Sequence, residues 1–180
     1  IRAVWKSKGE KGERVSSSVP YGYMKSPDNP KQWIVDEPVA EIVRYIYKLC
    51  LEGLGPTQIA KRLTKERILT PTAYSMSLGK SVSNKNITDP YKWVTETVKR
   101  ILADRQYTGC TVNFKSTILS YKVHKKIKND ESKWQIIPNT QEAIIDEDTF
   151  NRVQELRNGR RRNTATGRTS LFSGLAYCAD

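Results

Sequence analysis

The stretch from Asp36 to Pro71, DEPVAEIVRYIYKLCLEGLGPTQIAKRLTKERILTP, leaves few folds open. Apolar residues recur at Val39, Ile42, Val43, Ile46, Leu49 and Cys50, the spacing of one helical face. Asp36 is a candidate N-cap, Pro38 falls in the first turn, and Gly53 supplies a stop after Leu51. LEGLGP then breaks the chain. Pro56 and Thr57 start a second helix through about Glu66, with Ile59, Ala60 and Leu63 facing inward. Two amphipathic helices joined by a short glycine-containing turn have the helix-turn-helix layout. Many proteins use such a pair for packing alone.

A third helix follows at about 93–104, within WVTETVKRILADRQYTG. Val94, Val98, Ile101 and Leu102 keep helical spacing and are expected to face a core, and Thr95, Glu96, Thr97, Lys99 and Arg100 to face outward. Asp89 and Pro90 read as its start signal and Gly109 as its end. Small polar residues in the first turn, followed by a basic pair, suit a helix that enters the DNA major groove. Hydroxyls and carboxylates reach base edges there, and cations hold phosphates. The bland reading is a surface helix with a solvated face.

The rest of the chain supplies the surroundings. Residues 1–8 read as the end of a helix, and GEKGERVSSSV at 9–19 as a linker. PYGY at 20–23 is a rigid turn, and Trp33 to Val35 is a short extended run. Residues 72–92, rich in Gly, Ser, Asn and Pro, are expected to be irregular. After Gly109, TVNFKST, ILSYKVHKKIK and WQIIP have strand-like composition and many lysines, which predicts a small antiparallel sheet or wing. Asp146 is a candidate cap for a last helix from about Glu147, with Phe150, Val153 and Leu156 inward. RNGRRRNTATGRT reads as a basic linker, and LFSGLAYCAD as the start of another module. The fold class is α+β: a helix-turn-helix-like helical core, a small antiparallel sheet or wing, and a C-terminal helix. Four segments are expected, at 1–19, 20–157, 158–170 and 171–180. With no initiating Met, a longer parent chain is expected.

The charge narrows the choice of partner. Thirty-one Lys and Arg against 19 Asp and Glu give +12, which favours a polyanion through phosphate contact and counterion release. The excess avoids the first helix pair: residues 36–71 carry six basic and five acidic side chains, whereas 72–145 carry twelve and six. No apolar run reaches membrane-spanning length and no secretory pattern opens the chain, so a cytoplasmic location is expected. Cys50, Cys110 and Cys178 are odd in number and widely spaced, unlike a disulfide framework. Cys50 and Cys110 read as structural.

In this order, PYGY at 20–23, EIVRYIYKLCLEGLGPTQIAKRLTKERILTP, the W–V–IL–DRQYTG segment at 93–109 and AIIDEDTFNRVQ at 143–154 resemble the recombinase domain of large serine recombinases. These are the integrases and transposases of phages and conjugative elements. The resemblance covers nearly the whole chain, and LFSGLAYCAD looks like the start of the zinc ribbon that follows this domain in the family. It implies a double-stranded DNA-binding domain that recognises attachment-site half-sites, working with a catalytic domain that carries the nucleophilic serine, in a dimer or tetramer. It also implies that Cys178 is a first zinc ligand in the full-length protein, although one thiol cannot form a tetrahedral cage. The fragment itself is expected to need no cofactor and to be non-catalytic. Its serines lie in polar, loop-like stretches, and its sole histidine, His124, has no visible catalytic partners.

The residues expected to contact DNA follow. Thr95, Glu96, Thr97 and Lys99 are candidate base readers. Lys92 and Arg100 are candidates for phosphate, and Arg105 for the backbone near the helix end. Arg14, in the first linker, is the candidate for minor-groove insertion. Thr57, Gln58 and Lys61 open the second helix, and Lys122 and Lys125 lie in the strand region. Trp93, Tyr21 and Tyr107 are better read as packing residues. Two other readings share these features: a winged helix-turn-helix transcriptional regulator, and a basic RNA-binding domain that would stack bases on Tyr121 or Trp134.

Overall fold

The computed structural model describes residues 2–15, 19–80, 82, 87–118, 122 and 125–159. Among these are six α-helices, α1 (Arg2–Glu10), α2 (Glu37–Leu51), α3 (Pro56–Lys65), α4 (Pro71–Ser77), α5 (Thr95–Ala103) and α6 (Glu147–Gly159), of which α2, α3, α5 and α6 line one apolar core. Six short strands make three separate antiparallel pairs. β1 (Tyr23–Lys25) pairs β2 (Trp33–Val35) with Tyr23 opposite Val35. β3 (Thr111–Asn113) pairs β6 (Gln135–Ile137), and β4 (Ser116–Ile118) pairs β5 (Lys126–Lys128) as an inner hairpin between them. The expected wing is thus two nested ribbons.

The stripe read from the sequence builds the centre, except that Ile42 is only half-buried and Tyr47, outside that stripe, is buried beside it. Val43, Ile46 and Tyr47 of α2 are fully buried, with Ile59 and Leu63 of α3, Val98 and Leu102 of α5, and Val153 of α6. α5 packs chiefly against α3, and α6 lies on α2. Tyrosine hydroxyls join elements that no ladder joins. Tyr23 donates to Glu142 O (2.7 Å), Tyr107 to Tyr21 O (2.8 Å) and Tyr47 to Ile101 O (3.1 Å). Burial raises the pKa of all three phenols well above the usual value, so they remain donors. Gly22 (φ +102°) bends the PYGY turn, where a Cβ would crowd Ile144 and Val43. Gly109 (φ +81°) closes the 3-10 turn Arg105–Thr108 against the Gln141 carbonyl.

Several local expectations are corrected. Residues 72–77, at the start of the stretch expected to be irregular, belong to α4, because Thr70 caps it by accepting from Ala73 N–H (3.3 Å) and Pro71 presets the first turn. Asp36 holds the N-cap position of α2, with its backbone carbonyl accepting from Val39 and Ala40 N–H, but its side chain makes no cap bond: the buried carboxylate accepts from the Tyr74 hydroxyl (2.8 Å). Leu156 is exposed at 37%, and the half-buried Arg157 continues the Phe150–Val153 face in its place. Asp89 and Pro90 form a turn in which Asp89 Oδ1 accepts from Tyr91 N–H (2.9 Å), and α5 starts later, at Thr95. Asp146 does cap α6, accepting from Thr149 N–H (2.7 Å).

Residues 9–15, read as linker, lie against the β3–β6 ribbon. The buried Asn113 amide donates to Glu13 O (2.8 Å) and Gly9 O (3.4 Å) and accepts from Val15 N–H (3.3 Å). Gln135 Nε2 donates to Glu10 O (2.8 Å). Glycine and charge gave this segment the look of a solvated tether, but the backbone groups it exposes are what the amides bind.

Candidate nucleic-acid interface

α5 is fixed at one end and presented at the other. Its last carbonyls are satisfied from inside the core: Tyr47 OH donates to Ile101 O (3.1 Å) and Gln154 Nε2 to Leu102 O (2.7 Å). Its first turn has no side-chain cap, and the N-cap position is Val94. The segment before it is laid along α3. Trp93 N–H donates to Thr64 Oγ1 (3.0 Å), its indole N–H donates to Ile68 O (2.9 Å), and Thr95 Oγ1 lies 3.4 Å from Thr57 Oγ1. The first turns of α3 and α5 therefore sit side by side.

The sequence-derived candidates separate on this frame. Glu96, Lys99 and Arg100 are exposed, while Thr95 and Thr97 are half-buried. Glu96 and Lys99 form a loose ion pair (3.8 Å) on the helix surface, an arrangement that adds little to stability. Thr57, Gln58, Lys61 and Lys92 are exposed too, although Gln58 Oε1 accepts from Gly55 N–H (2.8 Å) and so helps cap α3. The structure thus brings the α3 and α5 candidates together.

Others lie elsewhere. Arg105 is held by Glu147 (2.5 Å) where α6 begins. Arg14 is folded back onto the protein: its guanidinium stacks over the Trp33 ring at 3.4 Å and donates to Thr111 Oγ1 (2.7 Å) and Gln141 Oε1 (2.5 Å). Burial lowers the pKa of that guanidinium, yet arginine stays charged in such settings. Lys122 and Lys125 are exposed in the β4–β5 region. His124, Tyr121 and Cys178 lie outside the described residues. Trp134 is half-buried and donates its indole N–H to Asn129 O (3.2 Å). Among the described residues, no group of three or more His, Cys, Asp or Glu could hold a metal, and no helix is long and apolar enough to cross a membrane.

Two features escaped the sequence reading. Arg67, at φ +53°, follows the C-cap Glu66 of α3 in the left-handed conformation and lies 4.5 Å over the Tyr91 ring. Val94, expected in the core, is 52% exposed. The helical spacing that predicted its burial applies only inside a helix. At φ −106° and ψ 144° Val94 is extended, and neighbours in extended chain point opposite ways. Trp93 turns in, and Val94 turns out.

Solved structures share this architecture. One, an LSR–DNA complex, has a TM-score of 0.56 and 22% identity, covering 99% of this chain and 50% of the other. A second, concerned with the sequence requirements of the Listeria innocua prophage attP site, has a TM-score of 0.53 and 21% identity, covering 94% and 57%. The chain thus spans about half the length of the solved structures it matches. A search among curated proteins finds no match. The model of the Recombinase family matches residues 37–160, which takes in α2 to α6. The chain belongs to the Recombinase family.

Proposed function

We propose that this chain is the double-stranded DNA-binding domain of a site-specific serine recombinase, reading a half-site of an attachment sequence for a mobile element. Bond breaking and rejoining belong to a separate catalytic domain, and this domain directs that chemistry to its target. One observation carries the reading: α5 is buried by its C-terminal end and presents its first turns beside those of α3, with Glu96, Lys99 and Arg100 exposed. Membership of the Recombinase family, the net charge of +12 and the DNA bound in one structural neighbour support it. Glu96 accepts from a base-edge amine, Lys99 donates to a base edge, and Arg100, Lys92 and Lys61 hold phosphates. Thr57 and Thr95 add hydroxyl contacts from the edge of α5 that meets α3, and Thr97 adds one from the opposite edge. A zinc ribbon beginning near Cys178 in the full-length protein extends the footprint.

The test begins with selection of bound duplexes from a random-sequence library by the 180-residue chain. Affinities for the selected and a scrambled duplex are then compared across a salt series. Arg100→Ala is expected to weaken both duplexes alike and to flatten the salt slope by about one charge. Glu96→Ala is expected to strengthen scrambled binding, by removing a repulsive carboxylate, while reducing discrimination by about 1–3 kcal/mol. Recovery of no preferred sequence, with steep salt dependence throughout, would reduce the interface to a basic surface.

A further inference from the structure

We infer that Val94 is a specificity-determining residue that reads the 5-methyl group of one thymine in the major groove. The inference rests on the proposed role of α5 and goes beyond it by naming the base. Valine is a poor N-cap: with no oxygen to accept a bond, it cannot satisfy the first-turn N–H groups that Ser, Thr, Asp or Asn would. No side chain caps α5, and Val94 spends more than half of its surface on solvent. Isolated apolar residues on a surface are ordinary; the position is what distinguishes this one. Trp93 fixes the preceding residue through its buried ring and two hydrogen bonds, and Thr95 fixes the following one beside Thr57. Extended geometry at Val94 then leaves its side chain one direction, outward, next to the first turn that carries Glu96. A β-branched side chain held this way loses little freedom on binding. An apolar group among polar base readers has one natural counterpart in the groove, since the thymine methyl is the apolar feature that a base pair shows there.

The experiment uses the selected duplex and replaces each thymine in turn with deoxyuridine, which removes only the methyl group. Binding is measured for the native 180-residue chain and for Val94→Ala, with Lys99→Ala as a comparison variant and thermal melting to check folding. At one thymine the native chain is expected to lose affinity by about fourfold, the factor carried by one buried methyl-sized group. Val94→Ala is expected to bind the parent duplex more weakly by a similar factor and to show no deoxyuridine penalty at that position, whereas Lys99→Ala keeps it. A merely structural valine would weaken binding at every position and leave the penalty in place. A preferred sequence whose thymines show no penalty, or the same penalty in both chains, overturns this inference alone. Failure to select any preferred sequence overturns the reading of α5 and this inference with it.

Discussion

At the scale of single residues, the domain is organised by polar ends on apolar bodies. Tyr107 shows the pattern: its ring stacks on Tyr23 at 6.2 Å and meets Tyr47 edge-on, while its hydroxyl reaches Tyr21 O. Tyr107→Phe keeps the ring and leaves that carbonyl without its donor, so a loss of about 1–3 kcal/mol is expected. Urea unfolding checks it: the midpoint falls while the slope stays unchanged. None of this was legible from the sequence beyond the reading of Tyr107 as a packing residue. A tyrosine's ring can be placed by hydrophobicity, but the carbonyl its hydroxyl finds lies far away in the chain.

At the scale of elements, legibility followed periodicity. α2 and α3 were readable nearly to the residue because each carries a long apolar stripe between clear breakers. α4 was missed because seven residues are too few to display a period, and its signal lay in the Thr70–Pro71 pair. Val94 was misplaced because a helical period was extended one residue past the helix. The α3 and α5 face was foreseen as two separate groups, and only packing put Thr57 beside Thr95. Arg14 was assigned by charge, which does not report that Trp33 and Gln141 stand within reach.

The start of α6 gives a prediction at this same scale. Asp146→Ala is expected to cost about 0.5–2 kcal/mol, the usual value of an N-cap. The Thr149 N–H and hydroxyl hold the folded carboxyl below its usual range. A lowered folded pKa means that the cap's contribution is complete above the unfolded value of about 3.9 and disappears as pH falls through the folded one. Native and Asp146→Ala stabilities, followed by urea unfolding, are therefore expected to differ at neutral pH and to converge in acid. The site is exposed, so salt reduces the electrostatic part of this difference.

At the scale of the whole molecule, a run of rings connects the incoming chain to the candidate DNA face. Arg14 lies on Trp33, Trp33 meets Tyr23, Tyr23 stacks on Tyr107, and the Tyr107 hydroxyl holds Tyr21, whose ring meets Trp93 just before α5. The placement of Arg14 and that of the chain entering α5 are thus tied through one continuous body. The attachment of α1 itself has a different character. Val4 and Trp5 are exposed, and the junction consists of the Asn113 and Gln135 amides on backbone groups, with Gly9 seated on the Phe114 ring, where a Cβ would overlap it. A junction of this kind opens without uncovering much apolar surface. Native-state hydrogen exchange is expected to find the Val15 amide, which is bonded to Asn113, released by an opening whose free energy barely changes with added urea, whereas amides in α2 follow global unfolding. A steep urea dependence at Val15 would show instead that it opens only with the core. The incoming helix is therefore held by a catch that releases separately from the melting of the domain, so its direction can change while the DNA face stays intact.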